Sequence, residues 1–106
     1  RLGLVKVPTG QGAYRYAAPS QAQPAGEEVH RRLQRAFADY VTAVEEGSGL
    51  VLVKTADGSA GPVAEAIDDA RWPDVAGTVA GDNTIIVVPR RTRDRATVLR
   101  RLRSLL

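Results

Sequence analysis

The residues best suited to chemistry lie together in one stretch, Gly77-Thr78-Val79-Ala80-Gly81-Asp82-Asn83-Thr84. A tight turn between two apolar strands would carry an acid and an amide at its tip, with backbone N–H and C=O groups free beside them. A carboxylate accepts from an ammonium or guanidinium group, and backbone N–H groups bind a carboxylate, so such a turn can hold a zwitterion. Asp and Asn also favour turns for their own sake, which leaves plain turn chemistry as the alternative role. Asp68, one position after the apolar Ile67, would stand at the border of a helix's buried face, within reach of the sheet or simply solvated. Thr78 fits a ligand contact or an ordinary strand position.

Other chemistry is poorly served. The chain of 106 residues has no cysteine and one histidine, His30, which reads as a surface residue. Disulfides, thiolate metal sites, histidine clusters and cysteine nucleophiles are therefore absent from the sequence. It carries no Gly-rich phosphate loop, carboxylate dyad at a defined spacing or activated nucleophile, so the expectation is a protein that is not an enzyme and needs no metal. No apolar run approaches the roughly 18 residues of a membrane span, and lack of cysteine fits a reducing compartment, so a cytoplasmic location is expected.

Charge is unevenly placed. Residues 1–37 carry six cations and two carboxylates, a net +4. Residues 38–89 carry nine carboxylates against Lys54 and Arg71, a net −7, and residues 90–106 carry seven arginines against Asp94, a net +6. An acidic centre suits a cationic ligand or basic partner surface, and basic flanks suit a polyanion, although each is also compatible with solvated surface charge. The last segment offers charge without aromatic stacking. A basic hairpin at residues 3–16, with Lys6 and Arg15 among Tyr14 and Tyr16, could touch a DNA backbone.

The elements that must position these residues follow from periodicity. Leu4–Val7 and Ala13–Tyr16 read as two short strands around a Pro/Gly turn, and residues 17–26, small, uncharged and Pro-containing, read as a linker. Val29, Leu33, Phe37 and Tyr40 form one stripe at helical spacing over residues 27–40, with Glu27 and Glu28 complementing the dipole of the first turn. Val41–Glu46 and Leu50–Thr55 read as a hairpin across Gly47-Ser48-Gly49, the second strand apolar enough for burial on both faces. Ser59 can cap a helix to about Arg71 with Val63, Ile67 and Ala70 inward, Pro62 standing in its first turn. Val75–Ala80 and Thr84–Val88 are the third and fourth strands, and a last helix runs from Asp94 to Leu106.

This order predicts an α+β fold, a two-layer sandwich with a four-stranded antiparallel sheet in β-β-α-β-β-α order after a preceding helix. Helices on one face leave the other uncovered. A domain of roughly 80 residues has a thin core, so an oligomer covering that face is expected.

The stretch GTVAGDNTIIVV, Gly77 to Val88, resembles the hallmark GTIAGDDTI-type segment of bacterial arginine repressors. Thr55-Ala56-Asp57-Gly58-Ser59-Ala60 and the helix bearing Asp68 are similar to that family's T-x-x-G-x-A segment and helix, and the match covers about residues 39–106. Residues 1–16 resemble the β-wing that ends the family's winged helix DNA-binding domain. Starting at Arg1 without an initiator Met, the chain reads as part of a longer or processed protein whose recognition helices lie elsewhere. The resemblance implies a transcriptional repressor of arginine metabolism genes, with L-arginine as corepressor and no metal. It implies residues 27–106 as the arginine-binding and oligomerisation domain, forming trimers that stack into a hexamer. It implies operator DNA as partner through the winged helix domain. Arginine would sit between trimers, with Asp82 pairing the guanidinium of a ligand of the opposing subunit. Thr78, Ala80 and Gly81 would give mainly backbone contacts, and Asp68 would hold the α-amino end. Asn83 stands where the family has a second Asp, keeping an oxygen acceptor. Gly61, before Pro62, stands where a Gln or His is frequent. Two other readings fit the same residues: a domain of this fold with a different small ligand or none, and a nucleic-acid-binding module using Arg100, Arg101 and Arg103 of the last helix.

Overall fold

The structure, a computed structural model, describes residues 26–106. The expected wing of residues 1–16 and all of the expected linker except Gly26 lie outside the described residues. The elements in chain order are α1 (Gly26–Tyr40), β1 (Val41–Gly47), β2 (Leu50–Thr55), α2 (Ala60–Ala70), β3 (Val75–Ala80), β4 (Thr84–Pro89), a 3₁₀ turn (Thr92–Asp94) and α3 (Arg95–Arg103). The sheet order is β1-β2-β4-β3, and every neighbouring pair is antiparallel. This is the expected α+β sandwich with its preceding helix, which starts at Gly26, one residue before the expected boundary.

Alternation along the strands decides which side chains go inward. Val51, Val53 and Thr55 on β2 and Ile85 and Val87 on β4 are buried, and the register sets Val51 beside Val87 and Val53 beside Ile85. Against this face pack Leu33 and Phe37 of α1, Ala60, Val63, Ala64 and Ile67 of α2, and Val98 and Leu102 of α3. One core therefore joins all three helices to one side of the sheet.

The other face is the missing layer. Leu50, Leu52 and Lys54 of β2 are only half-buried, so burial of this strand on both faces does not hold within one chain. Across the sheet, Glu45, Leu52, Ile86 and Val79 form one row, and Val79 is 61% exposed.

Three local details differ from the sequence expectation. The α1 stripe is buried at Leu33 and Phe37 but runs out at Tyr40, which is 42% exposed where the chain passes into β1. Ser59 makes no side-chain cap of α2; the Ala60 N–H donates instead to the Asp82 main-chain carbonyl, 3.1 Å away. The last helix stops at Arg103, because Leu105 and Leu106 donate to Leu102 and Arg103 at i−3 spacing, tightening the end. Between β1 and β2 the two-residue loop Ser48-Gly49 has positive φ at both positions, 51° and 80°, the primed turn whose twist suits a hairpin.

Asp69 lies in the cleft between α1 and α2, which Arg32, Asp39 and Glu65 also line. Burial there, with Glu65 nearby, raises its carboxyl above the ordinary aspartate value, only partly opposed by Arg32 and Arg71. A raised folded value means that the native state binds protons more readily than the unfolded chain. This unfavourable contribution grows as pH rises through and above 3.8 and vanishes in stronger acid. Asp69→Asn should therefore raise the melting temperature slightly at pH 7, the gain being small because the residue remains exposed to water. The gain should disappear in melts near pH 3, and a pH-independent gain would assign it to something other than this carboxyl.

Candidate functional site

The candidate residues follow the border between α2 and the edge strand β3, ending at the β3–β4 turn. Thr78 pairs with buried Val87, so it faces the helices. There its hydroxyl donates to the Asp68 carboxylate, Oγ1 to Oδ1 2.9 Å, tying β3 to the last turns of α2. Ala80 is on the same side of β3, pairs with Ile85 and is exposed. Gly81 closes the turn by donating to the Thr84 carbonyl, 2.9 Å.

Asp82 and Asn83 are exposed at the tip, but their carbonyls are not free as the sequence suggested. The Asp82 carbonyl accepts from Ala60 at the start of α2, and that of Asn83 accepts from Thr55 N–H, 2.9 Å, at the end of β2. The Asp82 side chain also reaches this loop, where Oδ2 accepts from Gly58 N–H at 3.2 Å. Gly58 holds φ at 76°, a left-handed conformation that favours glycine. Asn83 Oδ1 accepts from the Thr84 hydroxyl, 3.1 Å, and Thr84 Oγ1 accepts from Lys54 Nζ, 3.2 Å. The turn is therefore anchored to residues 55–60, yet the Asp82 carboxylate, with about four lone-pair sites, retains capacity to accept from a cation.

The six residues singled out from the sequence form two groups in one chain. Asp68 and Thr78 make one pair at the C-terminal end of α2. Asp82, Asn83 and Gly81 sit at its N-terminal end, with Ala80 between. Ala60 and Asp68 are eight residues apart on α2, roughly 12 Å of helix. Two further clefts, of about 390 and 430 Å³, lie along α1 and α2, and neither is lined by any of the six.

The contribution of Gly58 was missed in the sequence: its amide meets a carboxylate 24 residues away, a spacing that no local pattern encodes. The signal available was the glycine of Thr55–Ala60, read only as part of a motif. Lys54 was passed over as well, although a lone cation in an otherwise apolar strand was visible.

The arginine-rich end is largely committed to the fold. Arg103 donates to the Val44 carbonyl at 3.3 Å, and Arg90 to that of Val75 at 3.4 Å. Arg95 pairs with Glu46, and Arg91 is 3.7 Å from Asp94. Arg101 pairs with Asp74 at 3.2 Å and lies 4.7 Å above the Trp72 ring. Two of the three arginines on which a nucleic-acid-binding last helix would rest thus hold the domain together. Among the described residues, no group of three or more His, Cys, Asp or Glu side chains could hold a metal ion, and no helix is long and apolar enough to cross a membrane.

Comparison with known proteins gives a consistent result. Residues 37–104 match the model of the arginine repressor C-terminal domain. The arginine repressor of Moorella thermoacetica is 47% identical over 107 residues, covering 98% of this chain and 68% of that protein. That of Pelotomaculum thermopropionicum is 45% identical over 106 residues, with 98% and 68% covered. That of Desulforudis audaxviator is 46% identical over 105 residues, with 99% and 68% covered.

Proposed function

The chain belongs to the arginine repressor family, and from that premise we propose that it binds L-arginine as a corepressor and assembles the repressor's oligomer. The protein is an arginine-responsive transcriptional repressor; the family is one of regulators rather than catalysts. The observation that carries the ligand reading is the exposed Asp82 carboxylate, held on a turn that backbone hydrogen bonds anchor to the 55–60 loop. A positioned carboxylate matches a guanidinium, whose planar fork it can accept in bidentate fashion.

Asp82 and Asn83 take the guanidinium end, and Asp68, held by Thr78, takes the α-amino end of a second ligand. Thr78, Ala80 and Gly81 contribute mainly backbone contacts. The separation of the two groups along α2 supports a site completed by more than one subunit, because one chain presents its carboxylates at opposite ends of a helix. Trimers cover the open sheet face, and two trimers stack into a hexamer with arginine between them. A ligand that binds the hexamer better than the trimer shifts assembly toward the hexamer by its differential affinity. Operator DNA is then engaged several times at once, through the winged helix domains of the assembled repressor.

Isothermal titration of this chain with L-arginine should give saturable heat near one ligand per chain. Citrulline, similar in shape but uncharged, should bind at least about 100-fold more weakly, since it leaves the carboxylate without a cationic partner. Equal binding of both would exclude a site built on Asp82, and no heat at millimolar arginine would favour a domain of this fold with another ligand or none.

A further inference from the structure

The face of the sheet turned away from the helices carries Leu50, Leu52, Val79, Ile86 and Val88, and among them one cation, Lys54. Lys54 is already half-buried in the single chain, and its Nζ donates to the neutral Thr84 hydroxyl at 3.2 Å. No ion pair involves it among the described residues. On β1, Ala43 is directly opposite Lys54, and Glu45, opposite Leu52, is the diagonal neighbour on the same face. Glu45 is exposed, and it too has no ion pair among the described residues.

We propose that this face is covered by further copies of the same chain and that Lys54 of each copy pairs there with Glu45 of its neighbour. The proposal rests on the oligomer reading above and adds the pair that selects the partner. Covering an apolar face with a second apolar face is favourable, but it also strips water from the Lys54 ammonium. A desolvated cation with only a hydroxyl partner is strongly unfavourable, so the covering surface must bring an anion. Glu45 is the carboxylate that strand alternation places on this face, beside the leucine row. Each copy offers one cation and one anion, so a ring in which every copy donates to the next satisfies all of them. An unrelated apolar surface lacking a carboxylate would be rejected.

The test is sedimentation velocity over a concentration series, with circular dichroism to confirm folding of each variant. The parent chain should assemble. Glu45→Gln and Lys54→Glu should each raise the dissociation constant of the assembly at least about tenfold, the first by stranding a buried cation and the second by opposing two acids. Lys54→Met alone should weaken assembly as well, because it strands the Glu45 carboxylate. Lys54→Met together with Glu45→Met should assemble at least as well as the parent, because both charges that need compensation are gone. The exchange Lys54→Glu with Glu45→Lys should restore assembly to within about threefold of the parent. Failure of the exchange to recover assembly, or unchanged assembly in Glu45→Gln, would overturn the pairing while leaving an oligomer in place. A monomeric parent would overturn the pairing and the oligomer reading together, leaving arginine titration to judge the ligand site independently.

Discussion

Asp82→Asn should weaken L-arginine binding by at least about 100-fold, roughly 3 kcal/mol, with little change in the fold. The two parts of that expectation have separate causes. Loss of the charge removes the guanidinium's partner at a site where the ligand is desolvated. The fold survives because the native role of this side chain is to accept from Gly58 N–H, and an amide oxygen accepts equally well. The main-chain carbonyl that caps Ala60 is untouched by the substitution. Isothermal titration and thermal melts together check both parts: heat should be lost while the melting temperature stays within about 2 °C of the parent. Asp82→Ala serves as the contrast. It removes the acceptor as well as the charge, so it should lose arginine and also melt a few degrees lower. An Asn variant that binds arginine like the parent would leave Asp82 with the Gly58 hydrogen bond as its whole purpose.

Phe37→Ala should cost about 3–5 kcal/mol, a large part of the stability of a domain this size. Phe37 is 1% exposed, and it joins Leu33 in holding α1 to the core shared by α2, α3 and the sheet. Replacing its ring leaves a cavity where three helices meet one sheet face, with little freedom to collapse. Tyr40 provides the internal comparison. It belongs to the same helical stripe in the sequence, yet it is 42% exposed, so Tyr40→Ala should cost under about 1 kcal/mol. Urea denaturation at one fixed protein concentration measures both, since assembly would make apparent stability depend on concentration. Comparable losses at the two positions would mean that the stripe is buried along its whole length in solution.

Much of this molecule was legible before any coordinates. The continuous apolar runs at 50–55 and 84–88, the helical stripe through Leu33 and Phe37, and the Gly-Ser-Gly and Gly-Asp-Asn turns marked the elements and their order. Short apolar runs bounded by turn residues read as strands, and a stripe at a period of about 3.6 residues reads as a helix. Errors came where local pattern competes with tertiary context. Ser59 has the chemistry of a cap, but the carbonyl of Asp82 reaches the Ala60 amide instead. LVLVKT is apolar enough for two-sided burial, but a chain of this size builds only one layer of helices, leaving Leu50, Leu52 and Lys54 half-buried.

The candidate site divides along the same line. Residue type alone left Asp82 between a cation contact and plain turn chemistry, and the family resemblance of the GTVAGDN segment is what singled it out as a ligand residue. The sequence by itself thus determined the elements, the apolar stripe of each helix, and the acid proposed to meet a ligand. Tertiary structure decided what holds that charge in place. Pairing of β2 with β4 brings the turn after β3 to the loop after β2, so Gly58, Ala60 and Thr55 meet residues some 22 to 28 positions away. It also decided that Asp68 and Asp82 stand at opposite ends of α2, and that Lys54 faces the uncovered side of the sheet beside Glu45. The physical reason is that hydrogen-bond partners far apart in the chain are chosen by sheet register and helix docking, which depend on the whole core rather than on any local run of residues.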